Sequence, residues 1–417
     1  MQDLDALILP QAPPLDPAWL AWEAEANLRA PKPALSPIER QPLYAAQCRA
    51  LHAKMMAPGA PYHDLSVGIR TSELSVPSSE DGYSIPVLRY ELEEPERGNA
   101  SNPAGRTVKI EDEDEAEESA ARQADPEVGA RTETAIDDDV VMIYYHGGGL
   151  TVGEADSEDL SCRQLIKYWY NTTQDPPSPP HRIVLYSIGY RLKPQHPARV
   201  CVADALSAYT HTRSLHSSTS SRTTTKTIIV GSSSGGLLAT LVSQAAPRGT
   251  VHGILLRCPV TSDAWPAAGD LTSVPARLRY MHTSASASFE TVLLSLPSPS
   301  SSSSPSPAPS PRSPSISPPG NNPTRAPRDA LPSTPLELPE PKWTGLPRAW
   351  IQVCTNDVLY SEGLCYASAL QQHNAGVEVQ LDVVRGWPHT FWLKYPHLAR
   401  AREADEAMVR GLRWLLA

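Results

Sequence analysis

Apolar and polar positions along the chain follow two alternating rhythms. Short runs of mostly apolar residues recur at 140–145, 182–187, 227–230, 253–259, 348–354 and 377–384. Runs of this length, bounded by turn residues, suit strands buried on both faces. Between and after them, 159–170, 200–214, 237–242, 361–373 and 402–416 repeat at helical spacing. Upstream, 73–76 and 84–90 alternate apolar with polar residues around Asp81-Gly82, which predicts a hairpin. Asp16-Pro17 starts one earlier helix, carrying Trp19, Leu20, Trp22 and Leu28. Ser36-Pro37-Ile38-Glu39 is a capping box that starts another, whose first turns Pro42 should make irregular. Strands alternating with helices predict an α/β fold, a mostly parallel sheet with helices on both faces. The two early helices have no strand to cross to, so they are expected to pack as a lid.

Two stretches break the rhythm. Residues 95–138 are charged and lack periodicity, and 295–327 are dominated by Ser and Pro. Neither can bury enough apolar surface to offset its ordering entropy, so both are read as disordered insertions. The expected organisation is a helical cap segment over 1–62 and a catalytic domain over 63–417, interrupted by these insertions. The first insertion also explains the acidity. Its run Glu111–Glu118 holds seven acids, most of the formal charge of −10. The rest is nearly balanced and shows no basic patch, which argues against nucleic acid as a partner. No run of 18 apolar residues suggests a membrane span, and the amino terminus carries acids where a secretory leader would carry bases. The cysteines Cys48, Cys162, Cys201, Cys258, Cys354 and Cys365 have no metal-ligand spacing. Free thiols in a reducing, cytoplasmic compartment are the expectation.

Candidate chemistry stands at predicted strand ends, where open α/β sheets gather their working residues. In Gly231-Ser232-Ser233-Ser234-Gly235, a G-x-S-x-G turn between strand and helix would lift Ser233 out as a nucleophile. Gly231 and Gly235 allow the close backbone approach. A serine needs a base, and the base needs an orienting acid. Asp357 lies past the 348–354 strand and His389 past the 377–384 strand, giving the order Ser, Asp, His. Among twelve histidines, His389 is the one placed at a strand end with a helix to follow; His181, His211 and His373 read as surface residues. His146-Gly147-Gly148-Gly149 follows the 140–145 strand. The N–H groups of Gly147, Gly148 and Ser234 are the expected oxyanion donors, with His146 and Gly149 supporting the loop.

With these motifs in place, the chain resembles the hormone-sensitive-lipase-type, or HGGG, family of α/β-hydrolases. Tyr190-Arg191-Leu192-Lys193-Pro194-Gln195-His196-Pro197, followed by Asp204, is similar to that family's Y-R-L-A-P-E-H-P segment. Asp357-Val358-Leu359-Tyr360-Ser361-Glu362, followed by Tyr366-Ala367, resembles its D-x-L-x-D-E-x-x-x-Y-A segment. The resemblance implies an α/β-hydrolase fold with a helical cap, no metal or cofactor, and hydrolysis of carboxylic esters with short or medium acyl chains. Two positions depart from the family pattern: Ser232 stands where an acid commonly precedes the nucleophile, and Ser361 replaces an acid beside Glu362. The 295–327 insertion falls where the second part of the cap is expected. Two other readings stay open. One is a ligand receptor on the same scaffold, against which the presence of His389 argues. The other is a hydrolase of amides, lactones or acetylated secondary metabolites. Partner expectations are a small-molecule ester, a homodimer, and an SH3- or WW-type contact through the Ser/Pro segment.

Overall fold

Eight strands form one sheet among the described residues: β1 (Ile69–Pro77), β2 (Ser84–Leu92), β3 (Val140–Tyr145), β4 (Ile183–Ile188), β5 (Lys226–Ser232), β6 (Gly253–Arg257), β7 (Arg348–Asn356) and β8 (Val379–Pro388). Their order is β1-β2-β4-β3-β5-β6-β7-β8. The β1–β2 and β2–β4 pairs are antiparallel and the others parallel. The structure, a computed structural model, describes residues 3–28, 35–93, 140–171, 183–217, 225–264, 271–283, 331 and 333–417. The two predicted insertions, 95–138 and 295–327, lie outside them.

The central strands are buried on both faces because helices cover both. From β3, Val141, Ile143 and Tyr145 face one core, with α4 (Ala198–Ser217), α5 (Ser234–Ala245) and α6 (Tyr360–His373) packed over it. Val140, Met142 and Tyr144 face the other, beneath α3 (Asp159–Asn171) and α8 (Ala399–Leu416). This alternation is the period-two geometry of a strand, and it explains why apolar residues run without interruption.

The strand ends decide the site. The order reverses between β3 and β5, a switch point of the kind that opens a crevice at the carboxyl ends of strands. The sequence predicts β8 over 377–384, but it begins at Val379 and continues to Pro388. Its pairing with β7 shifts between Cys354 and Asn356, a bulge-like irregularity that turns the two strand ends before Asp357 and His389.

Among the described residues ahead of β1, the stretch around the first helix and the start of the second reach this same end. α1 (Pro17–Glu25) is capped by Asp16 and buries Trp19 and Trp22. These pack with Trp387, Phe391 and Trp392, the last two from the short helix α7 (Phe391–Lys394). The Asp16 N–H donates to the Gly386 carbonyl at 2.9 Å, and Asn356 Nδ2 donates to the Pro13 carbonyl at 2.7 Å. α2 (Pro37–Met56) has the predicted capping box at Ser36 and Glu39. The irregular first turns expected from Pro42 are not found, and the helix is continuous. Proline here deprives only the Ile38 carbonyl of its partner, close to an end already held by the cap. Gln41 Nε2 of this helix donates to the carbonyls of Thr151 and Lys193, each at 3.0 Å.

Candidate active site

β5 ends at Ser232 and α5 begins at Ser234, so Ser233 alone makes the turn between them. It holds φ 52° and ψ −120°, a region that non-glycine residues rarely occupy. Such strain persists only where the surroundings impose it. The Ser233 N–H donates to the Arg257 carbonyl at 2.9 Å, and the Val260 N–H donates to the Ser233 carbonyl at 3.1 Å. The flanking glycines are a steric requirement. A Cβ on Gly231 would run into the Gly235 carbonyl, and one on Gly235 into the carbonyls of Tyr145 and His146.

The structure brings all three sequence-predicted reactive groups together. Ser233 Oγ lies 2.9 Å from His389 Nε2, and His389 Nδ1 lies 2.6 Å from Asp357 Oδ2. The other Asp357 oxygen accepts the Leu359 N–H at 2.9 Å. Ser233, His389 and Asp357 are all buried. Burial on its own would lower the His389 imidazole. The Asp357 charge and hydrogen bond, helped by Cys258, outweigh it and lift the group to about 9. The Cys258 thiol beside them is pushed well up by burial, so it stays protonated and does not compete as a nucleophile. Cys258, Asp357 and His389 form the one cluster with metal-like spacing among the described residues. Both ring nitrogens of His389 already face Asp357 and Ser233.

The loop after β3 departs in one respect from what its sequence suggests. Gly148 and Gly149 hold φ of 116° and 66°, and a Cβ on Gly148 would collide with the Val152 carbonyl. The Gly147 N–H, expected to be an oxyanion donor, instead donates to Glu158 Oε1 at 2.7 Å. It is therefore committed to a buried carboxylate and unavailable to an oxyanion. No acceptor among the described residues meets the N–H of Gly148 or Gly149. Ser234 opens α5, so its N–H is one of the helix's unpaired donors. The donors left free are those of Gly148, Gly149 and Ser234. The Leu150 N–H donates to Ser234 Oγ at 3.2 Å, a direct tie between loop and elbow.

The supporting residues are explained by their contacts. His146 is fully buried, stacks on Tyr190 at 4.3 Å between ring centroids, and meets the Gly147 carbonyl through Nδ1 at 2.7 Å. Burial lowers its imidazole to about 4, so it is neutral and structural. Arg191 grips Asp204 with two nitrogens at 2.8 and 2.9 Å, which fixes the segment carrying Tyr190. Glu362 accepts the N–H groups of Thr261 and Ser262 and faces His282, anchoring the chain just past β6. Ser361, in place of an acid, accepts the Thr283 N–H at 2.9 Å.

Three residues escaped sequence reasoning. Glu158 sits in an acidic stretch where nothing singles it out. Arg257 is fully buried, pairs with Asp405 at 2.9 Å and lies 3.7 Å over the Trp392 ring, behind the His389 loop. Gln352 orients Arg257 from β7. A lone arginine at the end of an apolar strand was the available signal. A groove of about 590 Å³ beside the oxyanion loop, lined in part by Gln41, Arg49, Tyr190 and Arg191, contains none of the three reactive residues.

Among the described residues, no helix is long and apolar enough to cross a membrane. The family model described as alpha/beta hydrolase fold matches residues 142–309 and 321–393. The chain is 27% identical to Lipase 2 of a Moraxella species over 61% of this chain and 55% of that one. It is 27% identical to an ethyl acetate hydrolase of Pseudomonas putida over 64% of this chain and 70% of that one. A Pyrobaculum calidifontis esterase superposes with a TM-score of 0.59 at 18% identity, covering 97% of this chain and 99% of that one. The chain belongs to the alpha/beta hydrolase fold family, in its hormone-sensitive-lipase-type branch of esterases and lipases.

Proposed function

We propose that the protein is a serine carboxylesterase that cleaves esters of short or medium acyl chains through an acyl-enzyme. The observation that carries this reading is the unbroken contact path from Ser233 Oγ through His389 to Asp357. Neutral His389 takes the Ser233 proton at Nε2 as Oγ attacks the ester carbonyl. The carbonyl oxygen becomes an oxyanion, and the N–H groups of Gly148, Gly149 and Ser234 are its donors. The imidazolium, stabilised by Asp357, then protonates the leaving alkoxide. In the second half a water gives its proton to His389 and attacks the acyl carbonyl, and collapse returns the proton to Oγ. The preference for short acyl groups leans on kinship: one relative is named for ethyl acetate.

Turnover of p-nitrophenyl acetate and butyrate tests the reading. The wild type should release a burst of nitrophenol equal to the enzyme, and Ser233→Ala should lose all but background hydrolysis. Turnover unaffected by that substitution would overturn it.

A further inference from the structure

The Glu158 side chain is buried, 1% exposed as a residue, and among the described residues it has no cationic partner. A carboxylate in that position is costly unless donors satisfy it. Three do, all neutral. Oε1 accepts the Gly147 N–H at 2.7 Å and Ser232 Oγ at 2.5 Å, and Oε2 accepts the Tyr144 hydroxyl at 2.6 Å. The donors come from three separate parts of the site: the oxyanion loop, the residue before the nucleophile, and the end of β3. Space is tight where they meet. A Cβ on Gly147 would stand 3.2 Å from Ser232 Oγ and 3.3 Å from Glu158 Oε1.

We propose that Glu158 is a positioning residue whose carboxylate clamps the oxyanion loop to the nucleophile elbow. It supplies from α3's leading edge the acid that this elbow lacks at Ser232. By engaging the Gly147 N–H it fixes the plane of the peptide entering the loop. The N–H groups of Gly148 and Gly149 then remain free and aimed. The Ser232 hydroxyl is the link between that carboxylate and the elbow. An aspartate at 232 would reach one atom further, into the space Oε1 now occupies. The acid can therefore be carried by either position, but not comfortably by both, because two carboxylates at that separation repel. This inference rests on the serine-hydrolase reading above.

The test is a charge exchange. Values of kcat and KM for p-nitrophenyl butyrate are measured for wild type, Glu158→Ala, Glu158→Gln, Ser232→Asp and the double variant Ser232→Asp/Glu158→Gln. Near-ultraviolet circular dichroism checks the fold of each. Glu158→Ala should lower kcat by about 10²-fold, as for a displaced oxyanion donor, with KM changed by less than about threefold. Ser232→Asp alone should be impaired, and adding Glu158→Gln should restore at least about tenfold of the lost kcat, so the two changes are coupled rather than multiplicative. If Glu158→Ala fails to fold, the comparison of Ser232→Asp with the double variant decides. Wild-type kcat in folded Glu158→Ala, or a double variant whose losses multiply, would overturn the proposal. Fluorophosphonate labelling separates the two claims. A wild type that fails to label sinks the serine reading, whereas labelling lost only in Ser233→Ala leaves that reading intact whatever Glu158 does.

Discussion

His389 is held between opposing effects, and its protonation sets the pH dependence. Burial disfavours the imidazolium, while the Asp357 charge and hydrogen bond favour it and lift the group to about 9. A protonated His389 has no lone pair for the Ser233 proton. The value of kcat/KM should therefore rise with pH, with its midpoint on the alkaline side of the ordinary histidine value of about 6.5. Asp357→Asn removes the supporting charge. The midpoint should move to lower pH while the maximum drops by about 10³–10⁴. Profiles of p-nitrophenyl acetate hydrolysis, corrected for background, check both. A midpoint that stays in place would contradict the assigned pairing. The same shift acts oppositely on stability. The pair stabilises the fold fully below the unfolded histidine value, and this contribution is lost as pH rises through the folded one. Much at this scale was legible. Ser233, Asp357 and His389 were distinguished by strand-end position, a local property of the sequence. Glu158 was not, because its role depends on which helix end comes to lie beside Ser232, and no local pattern encodes that. The Gly147 N–H differs from the expectation for a related reason: a bare glycine N–H is recognisable in a sequence, but its acceptor, here Glu158, is not.

At the scale of elements, the amino-terminal segment is tied to the loops that carry His389 and Asp357. Trp19 is fully buried, packing edge-on against Trp22 at 4.8 Å and Trp387 at 6.1 Å. Trp387 precedes His389 by two residues, and Asn356, which bonds the Pro13 carbonyl, immediately precedes Asp357. Trp19→Ala should cost about 3–5 kcal/mol in stability, as expected for an emptied aromatic site. It should also lower kcat, because the cavity opens beside the His389 loop. Urea unfolding and steady-state kinetics measure the two effects. A destabilised variant with unchanged kcat would show that the segment covers the site without supporting it. The helix starts at Asp16 and Ser36 were legible from their caps. The contacts of these helices were not, because their apolar residues specify burial and leave the partner unspecified. The extent of β8 was hidden too: Arg385-Gly386-Trp387-Pro388 contains Gly and Pro, and the strand runs on across the irregularity to a last pair with β7 at Asn356 and Pro388.

For the whole molecule, the parallel sheet was readable because continuous apolar runs between helical segments have few other solutions. The strand order was less so, since β3 lies between β4 and β5 only after two crossovers. That order brings the ends of β3, β5, β7 and β8 to one edge, where the glycine loop, Ser233, Asp357 and His389 meet. An esterase- or lipase-type α/β-hydrolase is the outcome, with Ser233 proposed as its nucleophile. Reaction with a fluorophosphonate, followed by peptide mapping by mass spectrometry, tests this most directly. One adduct per chain is expected, on Ser233, and none in Ser233→Ala. An adduct on Ser232 or Ser234, or labelling that persists in the variant, would contradict it.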